Sequence, residues 1–186
     1  MGKITIYEDK LIYQRRDELT ILEPYGPNCI RCRSTKNSKI LDEDWTLLPP
    51  KEGAEYSITG DESVAEITNG MVKVKLEAGN IWYGGIINFY RKDEHILHTK
   101  YEGHYTGRNV HREGDHYQVK VIFDAHEGEH FYGLGQEQED QFDRKGSTVN
   151  LEHYNTKSAV PVYYSSMGYG FLWNSPAPGR CETTNN

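Results

Sequence analysis

Met71-Val72-Lys73-Val74-Lys75-Leu76-Glu77 is the stretch that decides the fold class. Val72, Val74 and Leu76 fall on one side of an extended chain, and Lys73, Lys75 and Glu77 on the other. That two-residue period is the signature of an antiparallel strand with one face buried and one face wet. Residues 117–123 repeat it: Tyr117, Val119, Val121 and Phe123 alternate with Gln118, Lys120 and Ile122, the last being the one apolar residue on the outer side. Further strands are expected at residues 3–7, 10–14, 18–22, 30–34, 86–90, 147–151, 160–165 and 169–174.

Turn formers separate these runs at short intervals: Tyr25-Gly26-Pro27, Asn69-Gly70, Gly84-Gly85, Glu113-Gly114 and Met167-Gly168. Many short strands with regular turns predict an all-β chain, an antiparallel β-sandwich or barrel. Leu41, Trp45 and Leu48 lie at intervals of four and three, so residues 38–48 offer the one helical spacing before Pro49-Pro50 stops it. At most one short helix is expected. Residues 136–147 are polar and charged enough to form a long loop.

The chain has 186 residues, enough for one sandwich domain spanning 1–186 with a full core. Hydrophobic residues make up 36% and charged residues 26%, and no apolar run approaches the ~20 residues of a membrane span. A soluble, cytoplasmic protein without a membrane partner is expected. The formal net charge of -7, with no basic patch, argues against nucleic acid. Three cysteines, Cys29, Cys32 and Cys181, cannot all pair within one chain and suit a reducing compartment. Cys29 and Cys32 spell C-x-x-C in an extended run, where residues three apart point to opposite faces, so a shared metal is awkward.

The candidate chemistry is thin. His126-Glu127-Gly128-Glu129-His130 fits H-E-x-x-H, but that zinc motif needs a helix, whereas Gly128, Gly133 and Gly135 favour a solvated turn between strands. His95, His98, His104, His111 and His116 fall in polar, turn-rich stretches and read as surface residues. There is no G-x-S-x-G, and Gly133-Leu134-Gly135 lacks the later glycine and helix of a dinucleotide site. The densest feature is aromatic: Tyr154, Tyr163, Tyr164, Tyr169, Phe171 and Trp173 crowd twenty residues. In a hairpin of residues 160–165 and 169–174, Val160, Val162 and Tyr164 oppose Pro161, Tyr163 and Ser165, so some rings face outward toward a sugar or a partner.

Several segments resemble glycoside hydrolase family 31. They are Leu22-Glu23-Pro24-Tyr25-Gly26-Pro27-Asn28 with Ile30-Arg31-Cys32-Arg33 and Trp45-Thr46-Leu47-Leu48, then Phe131-Tyr132-Gly133-Leu134-Gly135-Gln136. Tyr154-Asn155-Thr156 follows, leading to Val160-Pro161-Val162-Tyr163-Tyr164-Ser165-Ser166 and Gly168-Tyr169-Gly170-Phe171-Leu172-Trp173-Asn174-Ser175-Pro176. The order looks closest to bacterial members acting on α-xylosides or α-glucosides. The resemblance implies a galactose-mutarotase-like β-sandwich that precedes a (β/α)₈ barrel carrying both catalytic aspartates.

The departures are Tyr25 in place of an expected tryptophan, Gln136 where many members have glutamate, and a short link from Tyr154 to Val160. That link lacks the acidic residue which, in many members, reaches the sugar pocket. The barrel needs about 250 residues and is not here, nor is the family's Asp-Met-Asn-Glu segment. The resemblance therefore implies no catalytic residue, metal or cofactor in this chain. The fragment alone is no enzyme, while its parent is a retaining glycosidase, and late strands of the sandwich are expected beyond Asn186. The expected partners are the missing barrel, the parent's carbohydrate substrate, and a second copy through the uncovered barrel-facing surface. His153, Tyr154 and Asn155 are the expected sugar-facing residues. The alternatives are a free-standing carbohydrate-binding sandwich and an aldose mutarotase, which would need a histidine and a carboxylate converging in one cleft.

Overall fold

The computed structural model describes residues 2–16, 18–44, 46–52, 55–80, 84–102, 105–138 and 140–184, with backbone alone at 101–102 and 105–106. Among the described residues there is no helix, and therefore none long and apolar enough to cross a membrane. The chain divides into two compact units, residues 1–124 and 125–186.

In the first unit, β1 (Lys3–Ile6), β2 (Leu11–Arg15), β3 (Glu18–Pro24) and β4 (Ile30–Thr35) pair in chain order as one antiparallel sheet. β5 (Tyr56–Gly60), β6 (Val64–Asn69), β7 (Val72–Glu77), β8 (Ile86–Arg91) and β9 (Glu94–Thr99) form a second. Two small hairpins follow, β10 (Tyr101–Glu102) with β11 (Tyr105–Thr106), and β12 (Arg108–Glu113) with β13 (His116–Val121). β14 (Phe123–Asp124) then joins the second sheet beside β9.

The inner faces of the two large sheets supply one core. Ile4, Leu11, Tyr13 and Leu22 come from the first sheet; Ala65, Ile67, Val74, Leu76 and Ile87 come from the second. The expected face of β7 is the one that is buried, since Val74 and Leu76 are fully enclosed while Lys73 and Lys75 point outward to Asp93 and Glu77. Each large aliphatic side chain so enclosed contributes about 1.5–3 kcal/mol. Polar ties close the sandwich: the Tyr13 hydroxyl donates to the Ala78 carbonyl at 3.0 Å, and buried Asn69 donates to Gly26 and Cys29 carbonyls at 2.7 and 2.8 Å.

Two local expectations are corrected. Residues 38–48 form no helix in their described part, and Trp45 lies outside it. Asp44 Oδ1 accepts the N–H groups of Thr46 and Leu47, at 3.2 and 3.0 Å, which replaces helical bonding with a side-chain-capped turn. Arg31 and Arg33 pull Asp44 and Asp42 onto β4, and Leu41 and Leu48 stay exposed instead of packing. The strand expected at 117–123 ends at Val121, and Tyr117 and Val119 are about half exposed. β13 pairs only with β12, as a two-stranded ribbon outside the two large sheets.

In the second unit, β15 (Phe131–Gln136), β17 (Ser158–Ser165) and β18 (Tyr169–Leu172) form a three-stranded antiparallel sheet. β16 (Thr148–Leu151) pairs with β19 (Gly179–Glu182). Phe131, Leu134, Val149 and Tyr163 make its core. The expected hairpin is present: Tyr163 and Ser165 turn inward, while Val160, Tyr164 and Leu172 face out. Of the long loop expected at residues 136–147, Gln136 instead ends β15, and the described residues from 137 to 147 form no strand or helix.

Candidate functional site

Between β16 and β17 the chain reverses in a tight turn. The Lys157 N–H donates to the Tyr154 carbonyl at 2.9 Å, and Asn155 takes φ 53°, a left-handed conformation that asparagine tolerates better than most residues. The Gln138 amide donates to the Thr156 hydroxyl and ties the turn to the preceding loop. Tyr154 is 74% exposed at its start. His153, one residue earlier, lines a groove of about 220 Å³ with Glu152, Pro161, Trp173, Ser175 and Pro176.

Pro161 fits mid-strand because it lies opposite the β-bulge between Gly133 and Gly135, where the ladder with β15 is interrupted and no N–H is required. The Trp173 N–H donates to the Pro161 carbonyl at 2.9 Å, which carries the tryptophan alongside β17 past the end of β18. The groove is lined by Trp173, Pro161 and Pro176 together with Glu152, His153 and Ser175, a mixture of apolar rings and polar side chains that suits a sugar. Of the three residues expected to face sugar, the structure brings His153 into the groove; Tyr154 and Asn155 sit on the turn beside it.

The turn at 126–130 is a turn as expected, with Gly128 at φ 72°, but Glu129 within it is not solvated. It is 1% exposed and accepts hydrogen bonds from the Ser165 hydroxyl, the Tyr169 hydroxyl at 2.8 Å and the His126 N–H at 2.9 Å. Each donor offsets part of the cost of enclosing a carboxylate. Burial pushes the Tyr163 and Tyr169 phenols far up, and Tyr169 is raised further by Tyr163 and Glu129, so both stay protonated donors. His130 leaves the motif altogether: its Nδ1 lies 2.6 Å from Asp143 Oδ2. Asp143 is held below the usual carboxylate range by the Lys145 N–H and by His130. No group of three or more metal-ligating side chains forms among the described residues.

Not all the other histidines are bare surface. His98 bonds Asp124 at 2.9 Å and its ring lies tilted beside that of His95, centroids 4.8 Å apart, while His104 lies outside the described residues. Neither that pair nor the His130–Asp143 pair belongs to a groove described here. Each groove holds a single carboxylate, Glu152 in the one above and Glu137 in a second, polar one, whereas retaining hydrolysis uses two about 5 Å apart.

The family model for the glycosyl hydrolase 31 N-terminal galactose mutarotase-like domain matches residues 18–182. The chain belongs to this family. A family 31 glucosidase of Pseudescherichia vulneris, itself uncharacterised, is 28% identical, with 100% of this chain and 38% of the relative covered. Alpha-xylosidase A of Aspergillus niger is 27% identical, covering 89% of this chain and 25% of its own. Among solved structures, a GH31 alpha-xylosidase from a soil metagenome, complexed with xylose, superimposes at a TM-score of 0.89 with 27% identity, over 98% of this chain and 29% of that one. The chain thus spans well under half the length of each of these relatives.

For this family 31 N-terminal domain, the Tyr-Gly-Leu-Gly segment has a steric explanation. Gly133 and Gly135 take φ 115° and 89°, and a Cβ would stand 2.7 Å from the Val162 carbonyl at the first and 2.1 Å from the Ser158 carbonyl at the second. The bulge they permit drives Leu134 into the core, where it is 2% exposed. Sequence reasoning missed Glu129 as a buried carboxylate, because Ser165 and Tyr169, which donate to it, lie on the distant strands β17 and β18.

Proposed function

We propose that this chain is the non-catalytic N-terminal domain of a larger retaining glycosidase acting on α-xylosides or α-glucosides, with both compact units belonging to one domain that packs on the catalytic barrel. The observation that carries this is the family match running through both units, in a chain that spans only 25–38% of its curated relatives. The single carboxylate in each groove supports a role outside bond cleavage. The parent enzyme works in the cytoplasm on carbohydrate. The outward strip of Val160, Tyr164 and Leu172 supports a partner surface, which pairs with a second copy when the barrel is missing.

His153, Tyr154 and Asn155 help to wall the sugar pocket, with His153 acting from the groove it shares with Trp173. In the larger enzyme, His153→Ala and Asn155→Gly are expected to raise KM or lower kcat/KM and leave the melting temperature nearly unchanged. Wild-type kinetics in both variants would remove the pocket role.

A further inference from the structure

The turn at residues 154–157 joins two parts of the groove wall, since His153 lines the groove just before it and Ala159 just after it. The bond that closes the turn runs from the Lys157 N–H to the Tyr154 carbonyl, and Asn155 within it keeps a left-handed φ of 53°. Backbone of that kind persists where its surroundings hold it.

Two consecutive side chains of the loop after β15 supply the hold. Glu137 Oε2 lies 2.6 Å from Lys157 Nζ, and the Gln138 amide donates to the Thr156 hydroxyl. The Glu137 side chain is only 9% exposed, so its pair with Lys157 is screened less than one between two solvated chains. The loop itself is a firm base. Asp143 accepts the Phe131 N–H at 3.3 Å, and the Arg144 N–H donates to the Phe131 carbonyl at 2.7 Å. Arg144 Nε donates to the Gly133 carbonyl at 3.3 Å, and the Ser147 hydroxyl donates to the Arg144 carbonyl at 2.7 Å. Glu137 is therefore fixed from both directions, by β15 immediately before it and by residues 143–147 tied back onto the same strand.

We propose that Glu137 is a positioning residue: through Lys157 it holds the 154–157 turn, and with it sets His153 against the rest of the groove wall. The proposal deepens the proposed function and rests on the reading that His153 walls the sugar pocket.

The test uses Glu137→Gln, which keeps the side chain's shape and leaves Lys157 exposed enough to stay hydrated. In the 186-residue chain, hydrogen exchange of the Lys157 amide is expected to speed up roughly tenfold, while the amides of β16 keep their wild-type rates. In the larger enzyme, the same variant should raise KM for the p-nitrophenyl α-glycoside it cleaves by roughly threefold to tenfold with kcat unchanged, the mark of lost binding alone. Lys157→Arg, which retains the charge, should keep both constants near wild type. Where Glu137→Gln does not fold, Thr156→Val, which removes the acceptor of Gln138, is read in its place with the same signs. Wild-type exchange at Lys157, a rise shared equally by β16, or a wild-type KM where His153→Ala has altered it would each overturn the proposal. If His153→Ala is itself silent, the pocket reading falls, and the Lys157 amide alone decides whether Glu137 holds the turn.

Discussion

The two units of this chain are held together by different chemistry. The first encloses a continuous set of aliphatic side chains between two sheets, with Tyr13 and Asn69 as its polar ties. The second has a smaller core of Phe131, Leu134, Val149 and Tyr163, and encloses Glu129 under Ser165 and Tyr169. Stability in the first should follow the area and volume removed from it. In the second it should follow the satisfaction of donors and acceptors, since a half-satisfied buried network is worse than an apolar one. Both grooves described here lie in the polar unit.

The largest effect is expected at Tyr13, which is fully enclosed. Tyr13→Ala should cost about 3–5 kcal/mol, as for other large aromatic truncations, measured by urea denaturation. A loss below ~1 kcal/mol would break the area-driven view of the first unit. Glu129→Gln removes no volume, yet it puts an amide NH₂ where hydroxyl and N–H donors converge. We expect about 1–3 kcal/mol from that one exchange. A neutral result would mean that the second unit, too, stands on packing alone.

Much of this difference was open to a reader of the sequence, but unevenly. β7 was legible because Val, Lys and Leu alternate strongly. β6 was not, although Ala65, Ile67 and Asn69 alternate inward, because alanine and asparagine carry little apolar signal. The helical spacing at 38–48 misled because spacing cannot report that Arg31 and Arg33 draw Asp44 and Asp42 away. Glu129 could not be read as buried, since Ser165 and Tyr169 lie 36 and 40 residues further along the chain. Of the candidate site, the turn was anticipated from Tyr154-Asn155-Thr156, whereas the groove beside His153 emerges only from the fold. Trp173 was visible only as one ring in an aromatic cluster, and its register against Pro161 emerges from the fold.

Smaller effects sharpen the picture of the second unit. Asn155→Ala should cost about 1 kcal/mol through its left-handed backbone, whereas Asn155→Gly should be close to neutral. Equal losses in both would show that the asparagine side chain, not the backbone, holds the turn. Asp143 contributes through its depressed folded pKa. Its stabilisation is present above the ordinary aspartate value, ~3.9, and is lost as pH falls through the lower folded value. Asp143→Asn should therefore lower the melting temperature at pH 7, and the gap from wild type should close on acidification. A gap that persists at pH 2 would assign the effect to geometry instead of charge.

We propose that this family 31 domain serves a glycosidase without cutting the bond itself. The direct measurement is release of p-nitrophenol from p-nitrophenyl α-xyloside and α-glucoside by the purified 186-residue chain. A rate indistinguishable from the buffer blank is expected, because no groove described here brings two carboxylates together. Turnover that survives repurification and scales with protein concentration would contradict it.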